Sequence, residues 1–254
     1  EGTRLAKLCG QLIAHELGAC DIDFSFTPVL DINFGTSSVI GDRSFHQHAK
    51  PIVDLASSVM DGLNSGGMKS VGKHFPGHGF IKADTHLESA NDDRSLEEIQ
   101  EKDMNIFKEM IKKNIAGVMP SHVIYSNCDQ KPAGFSKFWL EGQLRKFLNF
   151  EGAIFSDDMG MKAAQIYEKD LVSRVRKCLE AGCDMVLVCN QGDDVDKVLD
   201  KLSWKQGSNS IERLSSMRRD YLKITDEDAS QLNFCYEGAK KAIKELKKQG
   251  EKLK

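Results

Sequence analysis

The chain has 254 residues, enough to bury a full core as one large domain or two small ones. Charged residues make up 29% and hydrophobic residues 40%, as in soluble globular proteins, and the formal net charge is −3. No basic patch with interleaved aromatics occurs, which argues against a nucleic-acid partner, and no apolar run or leader pattern suggests a membrane or an export route.

The first element is an amphipathic helix over residues 3–18, with Leu5, Leu8, Leu12, Ile13 and Leu17 at helical spacing. Asp23 to Leu30 alternates and then runs apolar, predicting a strand that ends at Asp31. Asn33 to Arg43 is a Gly- and Ser-rich loop. Lys50 to Ser65 reads as a helix stopped by Gly66-Gly67, and Met68 to Lys73 as the next strand. Pro76 to Ala83 holds too many turn-formers for regular structure and reads as a long active-site loop leading into Asp84-Thr85-His86. Ser95 and Glu98 form a capping-box pattern that starts a helix running to about Lys113. Ala116 to Met119 is a strand followed by Pro120-Ser121-His122, and Lys137 to Phe147 is a helix. Gly152 to Phe155 is a strand followed by Ser156-Asp157-Asp158, and Asp170 to Ala181 is a helix. Asp184 to Val188 is a strand followed by Cys189-Asn190. Further helices start near Val195, Asn209 and Asp226, and the Lys-rich stretch Lys240 to Lys254 reads as a solvated helix face.

Strand and helix thus alternate at roughly 30 to 45 residues, long enough for parallel crossovers. Polar residues stand at the carboxyl ends of the strands: Asp31, Lys73, His74, His122, Asp157, Asp158 and Asn190. Convergence of several strand ends on one face is a barrel arrangement, but five strands also suit a doubly wound sheet, so periodicity leaves both open. The seven cysteines are scattered with no Cys-x-x-Cys spacing, which predicts reduced thiols, a reducing compartment and hence the cytoplasm.

Asp157 ends an apolar strand beside a second carboxylate, and neighbours on a strand point to opposite sides. One of the pair can face a site while the other meets solvent or a cation; the alternative is an N-cap of the next helix. Asp84 sits two residues from His86, where a carboxylate can hold an imidazole's tautomer and raise its basicity; the alternative is an exposed loop histidine. Lys73 and His74 can donate to sugar hydroxyls or phosphate, or His74 can be a satisfied core histidine. Arg43 can clamp a hydroxyl, carboxylate or phosphate, or form a surface salt bridge. His74 and His78 have His-x3-His spacing, but Pro76 and Gly77 between them oppose the helix a zinc site of that kind needs, so no metal is expected. Neither a G-x-G-x-x-G nor a Walker frame follows Lys73, and Ser156 lacks a Gly-x-Ser-x-Gly frame.

Together, Lys73-His-Phe-Pro-Gly-His-Gly79 and Asp84-Thr-His86 resemble the signature of the bacterial beta-N-acetylhexosaminidases of glycoside hydrolase family 3, the NagZ type. Phe26-Thr-Pro-Val-Leu-Asp31, Ile40-Gly-Asp-Arg43-Ser-Phe, Met119-Pro-Ser-His122, Pro132-Ala-Gly-Phe-Ser136, Ile154-Phe-Ser-Asp157-Asp-Met and Ala181-Gly-Cys-Asp-Met-Val-Leu-Val-Cys-Asn190 fit it in the same order. The resemblance implies a (β/α)8 TIM barrel whose first three or so strands precede the start of this chain. It implies a single catalytic domain over residues 1–254, N-terminally incomplete, with 191–254 as its C-terminal helices.

By the same resemblance the activity is hydrolysis of a terminal β-linked N-acetylglucosamine with retention, on GlcNAc-1,6-anhydro-muropeptides of cytoplasmic cell-wall recycling. Asp157 takes the place of the nucleophile, His86 that of the acid/base and Asp84 that of its orienting partner. Arg43, Lys73 and His74 take the places that hold the sugar. No cofactor is implied, the partner is a small carbohydrate, and a monomer is expected. A neutral histidine in place of a second carboxylate admits anions, which keeps a phosphorylase as an alternative. An inactive sugar-binding remnant is the reading if the shortened N-terminus is natural.

Overall fold

A computed structural model describes residues 1–37, 39–81, 90–219, 236–242 and 244–245. Helix α1 spans Gly2–Gly18 and α2 spans Ala49–Ser65. The small residues Ala6, Gly10 and Ala14 form the buried seam of α1, at i, i+4 spacing, while its leucines are half-buried along the flanks. The predicted face is therefore rotated slightly, because a close helix contact favours small side chains at its centre.

Five strands form one parallel sheet: β1 (Phe24–Ser25), β2 (Lys69–Phe75), β4 (Gly117–Pro120), β6 (Ala153–Asp158) and β7 (Met185–Leu187), in that spatial order. A short parallel pair, β3 (Asn91–Asp92) with β5 (Ile124–Tyr125), stands beside it. The main order follows the sequence without reversal. A doubly wound sheet would reverse at a switch point, so the described strands make a singly wound half-barrel.

Alternation sends neighbouring residues to opposite faces. Ile154, Val118 and Phe75 pack outward with α2 and with α4 (Asp103–Lys112), burying Ile52, Met60, Phe107 and Met110. Val71, Met119, Ala153 and Phe155 line the concave face with Phe24 and Phe26. Leu214 and Met217, at the C-terminal end of α8 (Ser208–Ser216), close over them. Burial on both faces explains why these strands read as near-continuous apolar runs.

Three predicted elements need correction, and one helix is added. The strand expected over Asp23 to Leu30 is regular only at Phe24–Ser25, with a single later bridge from Val29 to Lys73. Pro28 within it has no N–H to add to the ladder. The helix expected from Ser95 to Lys113 is two: α3 (Leu96–Glu101), opened by the Ser95–Glu98 capping box, and α4. The Lys137 to Phe147 helix is a π-helix over Phe138–Phe147, burying Trp139, Leu140 and Leu144. A helix not foreseen, α5 (Lys162–Tyr167), precedes α6 (Leu171–Ala181), which Asp170 caps by accepting from the Ser173 amide. The helix expected near Val195 is α7 (Gly192–Lys201) and that near Asn209 is α8. The helix start at Asp226 and most of the Lys240 to Lys254 stretch lie outside the described residues, although 236–242 are helical.

At the amino-terminal end of the sheet, Asp184 ties three elements together. Its carboxylate accepts from Arg213 Nη2 at 2.6 Å, Ser210 Oγ at 2.6 Å, Arg145 Nη2 at 3.0 Å and the Ile154 amide at 2.8 Å. The six described cysteines carry free thiols, and no helix among the described residues is long and apolar enough to cross a membrane.

Candidate active site

The carboxyl ends of β2, β4, β6 and β7 converge. In β2, Lys73 pairs with Met119 and Phe75 with Pro120, so His74 is an extra residue in the ladder. Such a bulge re-aims side chains that a regular strand would send to opposite faces. His74 Nδ1 lies 2.7 Å from Asp31 Oδ2, and the His74 and His78 amides both donate to Asp31 Oδ1, at 3.2 and 2.7 Å. Desolvation would raise the Asp31 carboxyl, yet His74, His78 and the amide hold it below its ordinary value. His74 is 6% exposed with a satisfied Nδ1, the core-histidine reading, and stands at the strand-end cluster.

The following turn explains the Pro-Gly-His-Gly spelling. Gly77 has φ +149°, and a Cβ there would meet the Asp103 carboxylate at 2.3 Å. A Cβ on Gly79 would lie 1.8 Å from the Ile32 carbonyl oxygen. Gly79→Ala is therefore expected to cost about 1–3 kcal/mol through forced backbone displacement. An unchanged urea midpoint would show that the turn tolerates the methyl group.

Tyr125 Oη donates to the Gly77 carbonyl at 2.8 Å. Buried Arg94 pairs with Asp92 and Asp103, each at 2.7 Å, and lies 4.3 Å from the centre of the Phe80 ring. Burial raises the Asp103 carboxyl to about 6 against the pull of Arg94, with Asp31 and Asp92 adding repulsion. The clamp holds Phe80 on one side of residues 82–89 and Asp92 on the other. Asp84 and His86 fall in that segment, outside the described residues.

Asp157 stands near the end of β6, half-buried. Here too the register slips: Phe155 pairs with Met185 and Asp158 with Leu187. The Ser156 hydroxyl fills the gap by accepting from the Leu187 amide at 2.9 Å. The two carboxylates separate in role. Asp158 Oδ1 accepts from the Gly160 and Cys189 amides, both at 2.9 Å, and so staples the loops after β6 and β7. Asp157 Oδ1 accepts from the Asp158 amide at 2.8 Å and caps no helix, since α5 starts after Met161. Desolvation favours protonation of Asp157, but His74, His122, the Asp158 amide and Lys73 outweigh it and hold the carboxyl below its ordinary value. Burial pushes His122 itself down, with Asp157 and the Asp158 carbonyl opposing.

Lys73 is pushed down by desolvation and by nearby Arg43, with Asp157 and Asp31 opposing. Arg43, in the exposed turn Gly41–Arg43, donates from Nη1 to the Val39 carbonyl at 3.4 Å, makes no ion pair among the described residues, and lies close enough to repel the Lys73 charge. The structure therefore brings Arg43, Lys73, His74 and Asp157 together.

Sequence reasoning noticed Asp31 and His122 at strand ends but gave them no role. His122 Nε2 donates to the Asp158 carbonyl at 3.1 Å, and its ring stacks on Phe135. Arg94 had no signal beyond an Asp-Asp-Arg run. Among the described residues no group of His, Cys, Asp and Glu is arranged to hold a metal ion.

A profile of the Glycosyl hydrolase family 3 N terminal domain matches residues 1–217. The beta-hexosaminidase of Methylobacillus flagellatus is 50% identical over 214 residues, 84% of this chain and 61% of that protein. The beta-hexosaminidase of Nitrosomonas eutropha is 48% identical over the same share of each. The crystal structure of NagZ from Neisseria gonorrhoeae in complex with N-trifluoroacetyl-D-glucosamine superposes with a TM-score of 0.82 at 41% identity, over 93% of this chain and 70% of that one. The chain thus spans about three fifths of the length of these curated relatives.

Proposed function

The chain belongs to glycosyl hydrolase family 3, and from that premise we propose that it is the catalytic part of a retaining beta-N-acetylglucosaminidase. The observation that carries this reading is Asp157: a strand-end carboxylate kept ionised and facing a cationic cluster. That is what a nucleophile toward an oxocarbenium-like centre requires. In the first step Asp157 bonds to the anomeric carbon as the glycosidic C–O bond breaks and His86 gives its proton to the leaving oxygen. In the second, His86 takes a proton from water, which displaces Asp157 and restores the β configuration. An imidazole with an ordinary pKa near 6.5 serves as acid and then base around neutral pH. Asp84 orients His86, while Lys73, His74 and Arg43 hold the sugar.

The N-acylglucosamine in the Neisseria gonorrhoeae structure agrees with this substrate class. The proposal extends to an eight-stranded barrel, to residues 1–254 as one domain ending in the helices of 191–254, and to a monomer. It also extends to cytoplasmic cleavage of GlcNAc-1,6-anhydro-muropeptides.

The test uses an aryl β-N-acetylglucosaminide with a dinitrophenolate leaving group, which needs no proton. Release is expected to give free sugar and to be unmoved by phosphate; strong stimulation with sugar 1-phosphate as product would make the protein a phosphorylase. The Asp157 carboxyl is lowered, so the nucleophile is lost only as pH falls through a value below 3.8. kcat/KM for this substrate should stay flat down to about pH 4 wherever circular dichroism shows an intact fold. A fall already complete at about pH 5 would contradict the assignment.

A further inference from the structure

A cavity of about 620 Å³ opens between α5, α6 and α7, within the range of small-molecule sites. Four lysines line it, Lys162, Lys169, Lys197 and Lys201, together with Arg174. Two carboxylates share the wall, and each is already engaged. Asp170 caps α6, and Asp194 is paired with Lys197 at 2.7 Å. The lining is therefore cationic in excess.

Arg174 is the telling residue. It is 3% exposed, and its Nη1 donates to the Glu168 and Lys169 carbonyls. No carboxylate lies within ion-pair distance of it among the described residues, and its buried Nε has no hydrogen-bond partner. A buried guanidinium is ordinarily paired directly, because water no longer solvates its charge; here Glu168, Asp170, Asp158 and Asp194 act on it only through space. The structure holds this cation at the wall of a roomy cavity ringed by exposed lysines.

We infer that the cavity is a binding site for a small oxyanion, a phosphate or carboxylate group seated against Arg174 and the four lysines. One wall is the segment that leaves β6 just after Asp157: Gln165 Nε2 donates to the Gly160 carbonyl, and Gln191 follows β7. The anion can thus arrive free in solution or on the aglycone of a bound substrate. The inference concerns a second locus and does not need the glycosidase reading to hold.

The test is calorimetric titration of the protein with inorganic phosphate at low ionic strength, beside K162A/K197A/K201A, whose side chains are exposed. Saturable binding is expected, weakened about tenfold or more in the variant. Kinetics on the neutral aryl substrate should be the same for both proteins. A second arm uses an aryl glycoside with a carboxylate on the aglycone: a KM raised in the variant for this substrate alone, and raised in the parent by phosphate, assigns the anion to the aglycone. An unmoved KM with phosphate binding retained assigns it to a free anion. No saturable phosphate binding, or equal phosphate binding by parent and variant, overturns the inference, and this calorimetric outcome is independent of whether the protein turns over substrate.

Discussion

Asp157→Ala is expected to lower turnover on the order of 10⁴-fold or more while leaving the fold intact. The carboxylate makes one hydrogen bond within the described chain, to the next amide, and its removal gives up both a desolvation cost and the larger attraction of the cationic cluster. The thermal midpoint should therefore fall modestly, without loss of the fold. The specific signature is rescue. Azide fits the space the carboxylate leaves and attacks the anomeric carbon from the same side, forming a C–N bond as the aryl C–O bond breaks. The product is the α-glycosyl azide, opposite in configuration to the sugar released by the parent. Normal turnover by Asp157→Ala would end the nucleophile assignment. A dead variant that azide does not revive, with an unchanged melting curve, would leave Asp157 as an electrostatic group only.

Asp184→Ala should have the largest effect on stability, about 3–5 kcal/mol, because it leaves two arginines without their buried counter-ion. Its side chain is 2% exposed and serves Arg145, Arg213, Ser210 and the start of β6 at once. Burial and repulsion from Arg213 already push the Arg145 guanidinium down to about 10, with Asp184 opposing. Without Asp184 that repulsion stands alone. A midpoint lower by roughly 10 °C follows for a domain of this size. Asp184→Asn, which keeps the shape and one acceptor, should lose less. Asp184 lies at the opposite end of the sheet from Asp157, so kcat per folded molecule should hold. A variant as stable as the parent would show that the cluster is solvated in practice.

Much of the candidate site is legible in the sequence. Asp31, Lys73, His74, His122 and Asp157 each follow an apolar run, and in parallel strands that position collects at one end of the sheet. The Pro-Gly-His-Gly turn was legible as irregular, though its reason is steric: the Asp103 carboxylate and the Ile32 carbonyl stand where side chains would be. The separate roles of Asp157 and Asp158 were half visible. Alternation parts the two, but it could not say that Asp158 binds the Gly160 and Cys189 amides.

Hydrophobic period is a local property, written within ten or so residues, and the sequence by itself determined the alternation of strand and helix and the polar strand ends. The family resemblance, carried by motifs in fixed order, was equally local. Only the tertiary structure decided between an open doubly wound sheet and a half-barrel, because strand order is a relation between segments that no single segment encodes. The bulges at His74 and at Ser156-Asp157 belong to the same class, since a register exists only between two strands. So do the Asp31–His74 contact across 43 residues and the hold of Asp184 on Arg213 across 29. Buried charges such as Asp184, Arg94 and Arg174 are solvent-facing letters in a sequence. What surrounds them, and therefore what they do, is settled only when distant chain closes over them and removes the water.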